Sequence, residues 1–305
     1  MCAYQLIRQG GFHAWEGCPC QDRVHTLRRG TAEAVTLCDG AGSLQGAERA
    51  AVAFSEGMNE WVADHFRALC AKSVEEIRRL AVGQIGRILD GLTLGGEESR
   101  DLYGCTLLTV CRDCRTGEAL VLHLGDGLIV GLSREEGCVC LTPPEQGEEY
   151  RSTWLVNSSP DEVTDHLRVM RIRRGRRIDA YCLMSDGSEG ALYQPREEGV
   201  TLHPALESLM QEYLLRPANF AREMPDFVRT RIRPADDFSI GFLGDVPPAM
   251  LPVKGPARVR RQYARYLAAR REGLTADCAA RRAGWRKRDT RTKRERLLAM
   301  QVEEV

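Results

Sequence analysis

The sequence predicts a soluble α/β or α+β protein with one large domain or two small ones, and three observations lead there. The chain has 305 residues, 43% of them hydrophobic and only 6% aromatic, enough apolar material for a sizeable core. Two long segments, 46–70 and 73–92, carry apolar residues at helical spacing. After them the texture changes to short apolar runs split by turn signals.

Taken in order, "AVTLC" (34–38) is β-branched and apolar and predicts a strand that ends at Asp39. Residues 46–70 predict a helix and 73–92 a second, with Ser73 and Glu76 as a capping box. "CTLLTVC" (105–111), "ALVLHL" (119–124) and "LIVGLS" (128–133) predict a strand meander. "DAYCLM" (179–184) and "FSIGFL" (238–243) predict two more strands, with helices in "LHPALESLMQEYLL" and "PANFAREMPDFVRTRI" between them. Residues 142–175 are polar and weakly periodic, the texture of a functional flap. The Pro/Gly cluster in 244–256 reads as a linker. The expected division is a body over 1–245, a linker over 246–256 and a basic helical tail over 257–305.

No apolar run approaches the roughly 18 residues that cross a membrane, and "MCAYQLIRQGGFH" lacks the order of a signal peptide. The expected location is therefore the cytoplasm, where the twelve cysteines are reduced thiols rather than a disulfide framework. A zinc site built from "CRDC" (111–114) and "CVC" (138–140) is the competing reading, but "CRDCRTGE" also reads as a hairpin tip. The formal net charge is zero but unevenly spread. Residues 254–305 hold 16 Lys/Arg against 6 Asp/Glu, and the rest holds 27 against 37. An acidic body thus carries a basic tail. "GLTADCAARRAGW" (273–285) has the look of a helix-turn-helix, but the segment after it lacks the apolar residues that anchor a recognition helix. A solvated or partner-docking helical tail is expected rather than nucleic-acid binding.

The strands share one feature. Asp39 follows "AVTLC", Asp126 follows "VLHLG", Asp186 follows "YCLMS", and each precedes a glycine; Asp236 and Asp237 stand before "FSIGFL", and Asp22 lies ahead of the first strand. One such acid is a turn residue. Several would converge if those strands lie side by side, and converging carboxylates repel unless cations lie between them. Mg²⁺ and Mn²⁺ suit such oxygen ligands.

In order and spacing, "HAWEGCPCQDR", "TLCDGAGS", "GCTLLTV", "HLGDG", "LMSDGSEG" and "ADDFSIGFL" resemble the metal-dependent type 2C (PPM) protein phosphatases, most of all a compact bacterial subgroup, over about residues 8–245. The resemblance implies an α+β fold, an α-β-β-α sandwich of two antiparallel sheets flanked by helices. It implies two Mn²⁺ or Mg²⁺ ions, with a third, weaker site in some members. Asp39 resembles the carboxylate that bridges two metals, and Gly40 the residue that offers its carbonyl. Asp186 and Asp236 resemble the remaining ligands of one metal, and Asp22 the acid that holds water on the other. Asp126 with Asp186 resembles the third site. Asp39, Asp186 and Asp22 are thus the residues expected to carry catalysis.

Three positions depart from the family pattern. Ala41 stands where many members have a His, which leaves His13 and His123 as candidate general acids. No Arg lies between Gln9 and Gln21, which leaves Arg8 or Arg23 for the phosphate. Asp237 stands where an Asn is common, so the ligand of the adjacent pair is taken as Asp236. The function implied is a phosphoserine/phosphothreonine protein phosphatase in which metal-bound water attacks phosphorus directly. Its partners would be phosphorylated proteins and a cognate Ser/Thr kinase. The alternative is a catalytically weak regulatory or binding module of the same fold, with a basic tail that docks a partner or nucleic acid.

Overall fold

Alternation of side chains decides the role of the first strand. In β1 (Cys2–Arg8), Tyr4 and Leu6 point to one apolar layer while Ala3 and Ile7 point to another, as a strand covered on both faces requires. The computed structural model describes residues 2–93, 99–133, 136–145, 153–173, 178–196 and 199–244. After β1 come α1 (Gly11–Glu16), β2 (Arg23–Arg29), β3 (Ala32–Cys38), α2 (Ala47–Cys70) and α3 (Val74–Thr93). β4 (Leu107–Asp113), β5 (Ala119–Leu124), β6 (Leu128–Ser133), β7 (Gly137–Thr142), α4 (Pro160–His166), β8 (Arg168–Ile172) and β9 (Ile178–Met184) follow. The chain then forms β10 (Tyr193–Pro195), β11 (Val200–Leu202), α5 (Pro204–Leu215), α6 (Pro217–Phe227) and β12 (Phe238–Gly244).

Two five-stranded sheets result, ordered β2-β3-β4-β5-β8 and β1-β12-β9-β6-β7, with every neighbouring pair antiparallel. Val35, Leu37, Leu108, Val110 and Val121 of the first sheet meet Ile129, Tyr181, Leu183 and Leu243 of the second. Phe54, Met58, Val62, Ile77 and Ile85 of α2 and α3 cover the outside of the first sheet. Leu206, Met210, Tyr213, Phe220 and Met224 of α5 and α6 cover the outside of the second. The fold is therefore α+β, in four layers ordered α-β-β-α. The capping box of α3 forms as expected, with Ser73 Oγ accepting from Glu76 N and Glu76 accepting from Ser73 N.

Two expectations are corrected. β4, β5 and β6 are not one meander: β6 leaves its predecessor and pairs with β7 and β9 in the other sheet. The crossing runs through Gly125-Asp126-Gly127. Gly125 has φ +111°, a conformation that L side chains rarely adopt, and a Cβ on Gly127 would lie 2.8 Å from Met184 O. Residues 142–175 are not simply a flap, since they hold α4, with its own capping box of Ser159 and Glu162, and β8 paired to β5.

The zinc reading also fails. Cys111 Sγ faces Val62 O of α2 at 3.9 Å, while Cys138 Sγ lies 3.6 Å from Met210 Sδ of α5, on the opposite outer layer. Cysteines described in the structure are free thiols. No helix among the described residues is long and apolar enough to cross a membrane. Met1–Asp245 forms one compact unit. The linker, the basic tail and its 273–285 segment lie outside the described residues.

Candidate metal centre

Strand register brings the acids together. Arg23 of β2 pairs with Cys38 of β3, so Asp22 and Asp39 are the next residues outward on adjacent strands. The Asp39 backbone is held from both sides by Thr106: Asp39 N donates to Thr106 Oγ1 at 3.0 Å, and Thr106 N donates to Asp39 O at 2.8 Å. Gly40 then bridges to Cys105. In the other sheet Leu128 pairs with Met184, which brings Asp126, just before β6, near Asp186, just after β9. Ser185 N donates to Ser239 O at 3.1 Å, and Ser239 N donates to Ser185 Oγ at 2.9 Å. These bonds draw the start of β12 against Asp186. A Cβ on Gly187 would fall 1.9 Å from Asp237 O, so only glycine permits that approach.

The electrostatics follow from the crowding. Asp22 is wholly buried, and neither carboxylate oxygen has a hydrogen-bond partner. Asp39, Ser239 and Ser185 stand beside it without meeting it in hydrogen-bonding geometry, and Ser239 Oγ is itself unpartnered. Burial pushes the Asp22 carboxyl up to about 7. Burial, then the charges of Asp22 and Asp186, hold Asp39 well above the usual range. Burial raises Asp186, and Asp236 raises it further. Burial, then Asp186, brings Asp126 up to about 7. All six of the acids singled out in the sequence thus take part in one electrostatic group.

Asp236 and Asp237 divide cleanly. The buried Asp237 accepts from Gly10 N at 2.8 Å and from Gln21 N at 2.6 Å, with His13 Nδ1 3.0 Å away. Burial works against its charge, yet these donors hold its carboxyl below the usual range. Asp236 is exposed, and one of its oxygens accepts from Asp237 N at 2.8 Å.

The two histidines separate as well. His123 is 1% exposed, with no hydrogen-bond partner for either ring nitrogen. Burial, then Arg168, drives it down to about 3, so it is neutral and cannot serve as an acid. His13 sits at the rim. Burial lowers it, but Asp237, Asp236 and Glu16 together outweigh burial and raise it above the ordinary value. Its Nε2 lies 3.9 Å from where a Cβ on Gly42 would be. Of the arginines, Arg23 is committed: its Nη1 donates to Cys20 O at 2.9 Å and Asp22 O at 2.7 Å, and its Nη2 pairs with Glu48. Arg8 ends β1 beside Phe238.

Sequence reasoning missed two neighbours. Glu189, raised by burial and then by Asp186, follows the turn Asp186–Ser188, and its spacing of three from Asp186 was a usable signal. The Tyr193 hydroxyl is buried, unpartnered and within the field of Asp186 and Asp126; nothing in the sequence marked it. No three His, Cys, Asp or Glu side chains among the described residues converge closely enough, as they stand, to hold a metal ion. The donor chemistry nonetheless fits a hard divalent cation: carboxylate oxygens, two of them buried and unpaired, in a group whose mutual repulsion a cation relieves.

The protein phosphatase 2C family model matches residues 9–228. The serine/threonine phosphatase of S. agalactiae is 13% identical, with 79% of this chain and 97% of that chain covered and a TM-score of 0.53. For Stp1, a serine/threonine phosphatase from Staphylococcus aureus, the identity is 12%, the coverage 80% and 94%, and the TM-score 0.52. A bacterial serine phosphatase is 14% identical over 80% of this chain and 98% of that one, with a TM-score of 0.52. These structures share the fold. No curated protein matches the sequence.

Proposed function

The chain belongs to the protein phosphatase 2C family, and we propose that it is a metal-dependent phosphoserine/phosphothreonine protein phosphatase acting on phosphorylated proteins in the cytoplasm. One observation carries the reading: Asp22 is wholly buried with both oxygens unpaired, beside Asp39. A buried carboxylate left without a partner is costly, and a cation shared with Asp39 resolves it.

When bound, a pair of Mn²⁺ or Mg²⁺ ions supplies a nucleophile from water at neutral pH and neutralises charge on the phosphoryl group. In this reading Asp39, Asp186, Asp236 and the Gly40 carbonyl would hold the ions. Asp22 would hold water beside them, and Asp126 with Asp186 would serve a further, weaker site. Asp237 positions rather than ligates, because its oxygens already accept backbone N–H groups. His13 holds a proton at the rim for the leaving oxygen. Arg8 supplies positive charge for the phosphate, since the donors of Arg23 are taken.

The second reading, a binding module that keeps the fold, is favoured by the lack of a finished ligand set among the described side chains. Hydrolysis of a phosphothreonine peptide by the purified chain, with Mn²⁺ and then with chelator, separates the two. Turnover that chelator stops supports the phosphatase; Mn²⁺-independent inertness of folded protein supports the module.

A further inference from the structure

Helix α1 has an unusual surface. None of its residues is buried. Trp15 is 82% exposed and Phe12 56%, and no other large hydrophobic side chain among the described residues is so exposed. The two rings lie side by side, their centroids 6.4 Å apart, and Phe12 is also 6.4 Å from the His13 ring. A single exposed apolar residue needs no explanation. A pair on a helix with no core to cover has no structural purpose of its own.

The helix is not a loose appendage. Gly11 N donates to Pro234 O at 3.2 Å, Phe12 N to Ala235 O at 2.9 Å, and Gly10 N to Asp237 Oδ1 at 2.8 Å. A Cβ on Gly10 would lie 2.2 Å from the Asp236 carbonyl carbon. The aromatic pair is thus fixed to the backbone that carries Asp236, and His13 is the link between the rings and the carboxylates. A protein presenting a phosphorylated side chain beside Asp236 meets the segment that carries these rings, since Phe12 N is bonded to Ala235 O.

We infer that Phe12 and Trp15 form a docking surface for the substrate, seating a large apolar side chain next to the phosphorylated residue. The proposal rests on the phosphatase reading and adds a substrate class to it. At a rise of about 3.3 Å per extended residue, an apolar side chain two to four residues from the phosphoresidue reaches roughly 7 to 13 Å along the surface, and peptides of that spacing test the proposal. Exposed aromatic anchors of this kind dominate recognition where they occur.

The test uses the full chain with Mn²⁺, two phosphothreonine peptides and p-nitrophenyl phosphate. One peptide carries Leu or Phe two to four residues from the phosphothreonine, and the other carries Ser there. Wild-type protein should prefer the apolar peptide by about tenfold in kcat/KM. The double variant Phe12→Ser/Trp15→Ser should lose that preference while turning over p-nitrophenyl phosphate at the wild-type rate. Equal use of the two peptides by wild-type protein overturns the proposal, whatever the variant does. So does a preference that survives in the variant. Light scattering that shows a dimer dissolved by the double substitution assigns the surface to a second copy and also overturns it. Folded wild-type protein that hydrolyses none of the three esters sinks the phosphatase reading, and the docking surface with it.

Discussion

His13 Nδ1 stands 3.0 Å from Asp237 Oδ2, and the same carboxylate accepts Gly10 N at 2.8 Å and Gln21 N at 2.6 Å. One side chain thus pins both ends of the 10–21 segment to the start of β12. Asp237→Ala leaves two backbone donors unsatisfied and should lower stability by about 1–3 kcal/mol in urea unfolding. Asp237→Asn, which still accepts, should lose less. The Asp237 carboxyl is held below its usual range, so its contribution is complete above about pH 4 and fades as pH falls through the folded value. An alanine variant as stable as wild type at pH 7 would remove Asp237 from this role.

The buried His123 makes an opposite demand on the protein from that of the buried acids. Its folded value is depressed to about 3, so its contribution is present above about pH 6.5 and drains away as pH falls below it. His123→Leu should flatten the loss of metal-free stability between pH 6.5 and 4.5, by up to about 1.4 kcal/mol per pH unit relative to wild type. Asp22 and Asp126 are unchanged in this pair and cancel from the difference. Urea midpoints at three pH values measure it, and parallel curves would contradict it.

Asp22 is the reverse case. Its carboxyl is raised to about 7 by burial, so the stability it contributes is present below about pH 4 and lost as pH rises through 7. In chelator, Asp22→Asn should melt a few degrees higher than wild type at pH 8, about 1 kcal/mol being worth roughly 2–4 °C in a domain of this size. The gain should vanish near pH 4. Added Mn²⁺ should raise the melting temperature of wild type more than that of the variant, which keeps Asp39, Asp186 and Asp236.

The proposed division at about residue 245 has a direct test. Removing the chain after Lys254 should leave turnover of p-nitrophenyl phosphate within about twofold, because every acid of the centre precedes that point. The tail's excess of Lys/Arg should matter for phosphoprotein substrates at low salt and fade as screening shortens to about 8 Å. Loss of folding and of small-ester turnover together would place the tail in the core.

What could be read from the sequence follows position in the sheets. β3, β4, β5, β6, β9 and β12 were legible, and all six are interior strands covered on both faces, so their apolar runs are unbroken. β1, β2, β7 and β8 were not, and they are the four edges. Solvent-facing residues such as Arg28 and Arg29 break up the run there. The acids at strand ends were visible, but their convergence was not, because it depends on register. Arg23 opposite Cys38 brings Asp22 to Asp39, and the Gly125–Gly127 crossing carries Asp126 to the other sheet. The glycines after the acids looked like turn residues; Gly187 is needed because Asp237 O occupies the space of a side chain. Asp236 and Asp237 were indistinguishable until the partners of Asp237 could be named.

The central claim is that the carboxylates around Asp39 hold divalent cations for phosphate-ester hydrolysis. The most direct measurement is Mn²⁺ binding by calorimetry alongside p-nitrophenyl phosphate turnover, on wild-type protein and on Asp39→Asn. Wild-type protein should bind Mn²⁺ and turn over the ester until chelator is added. Asp39→Asn should stay folded, bind Mn²⁺ at least tenfold more weakly and lose about a hundredfold or more in turnover. Folded Asp39→Asn that binds and turns over like wild type would contradict the account.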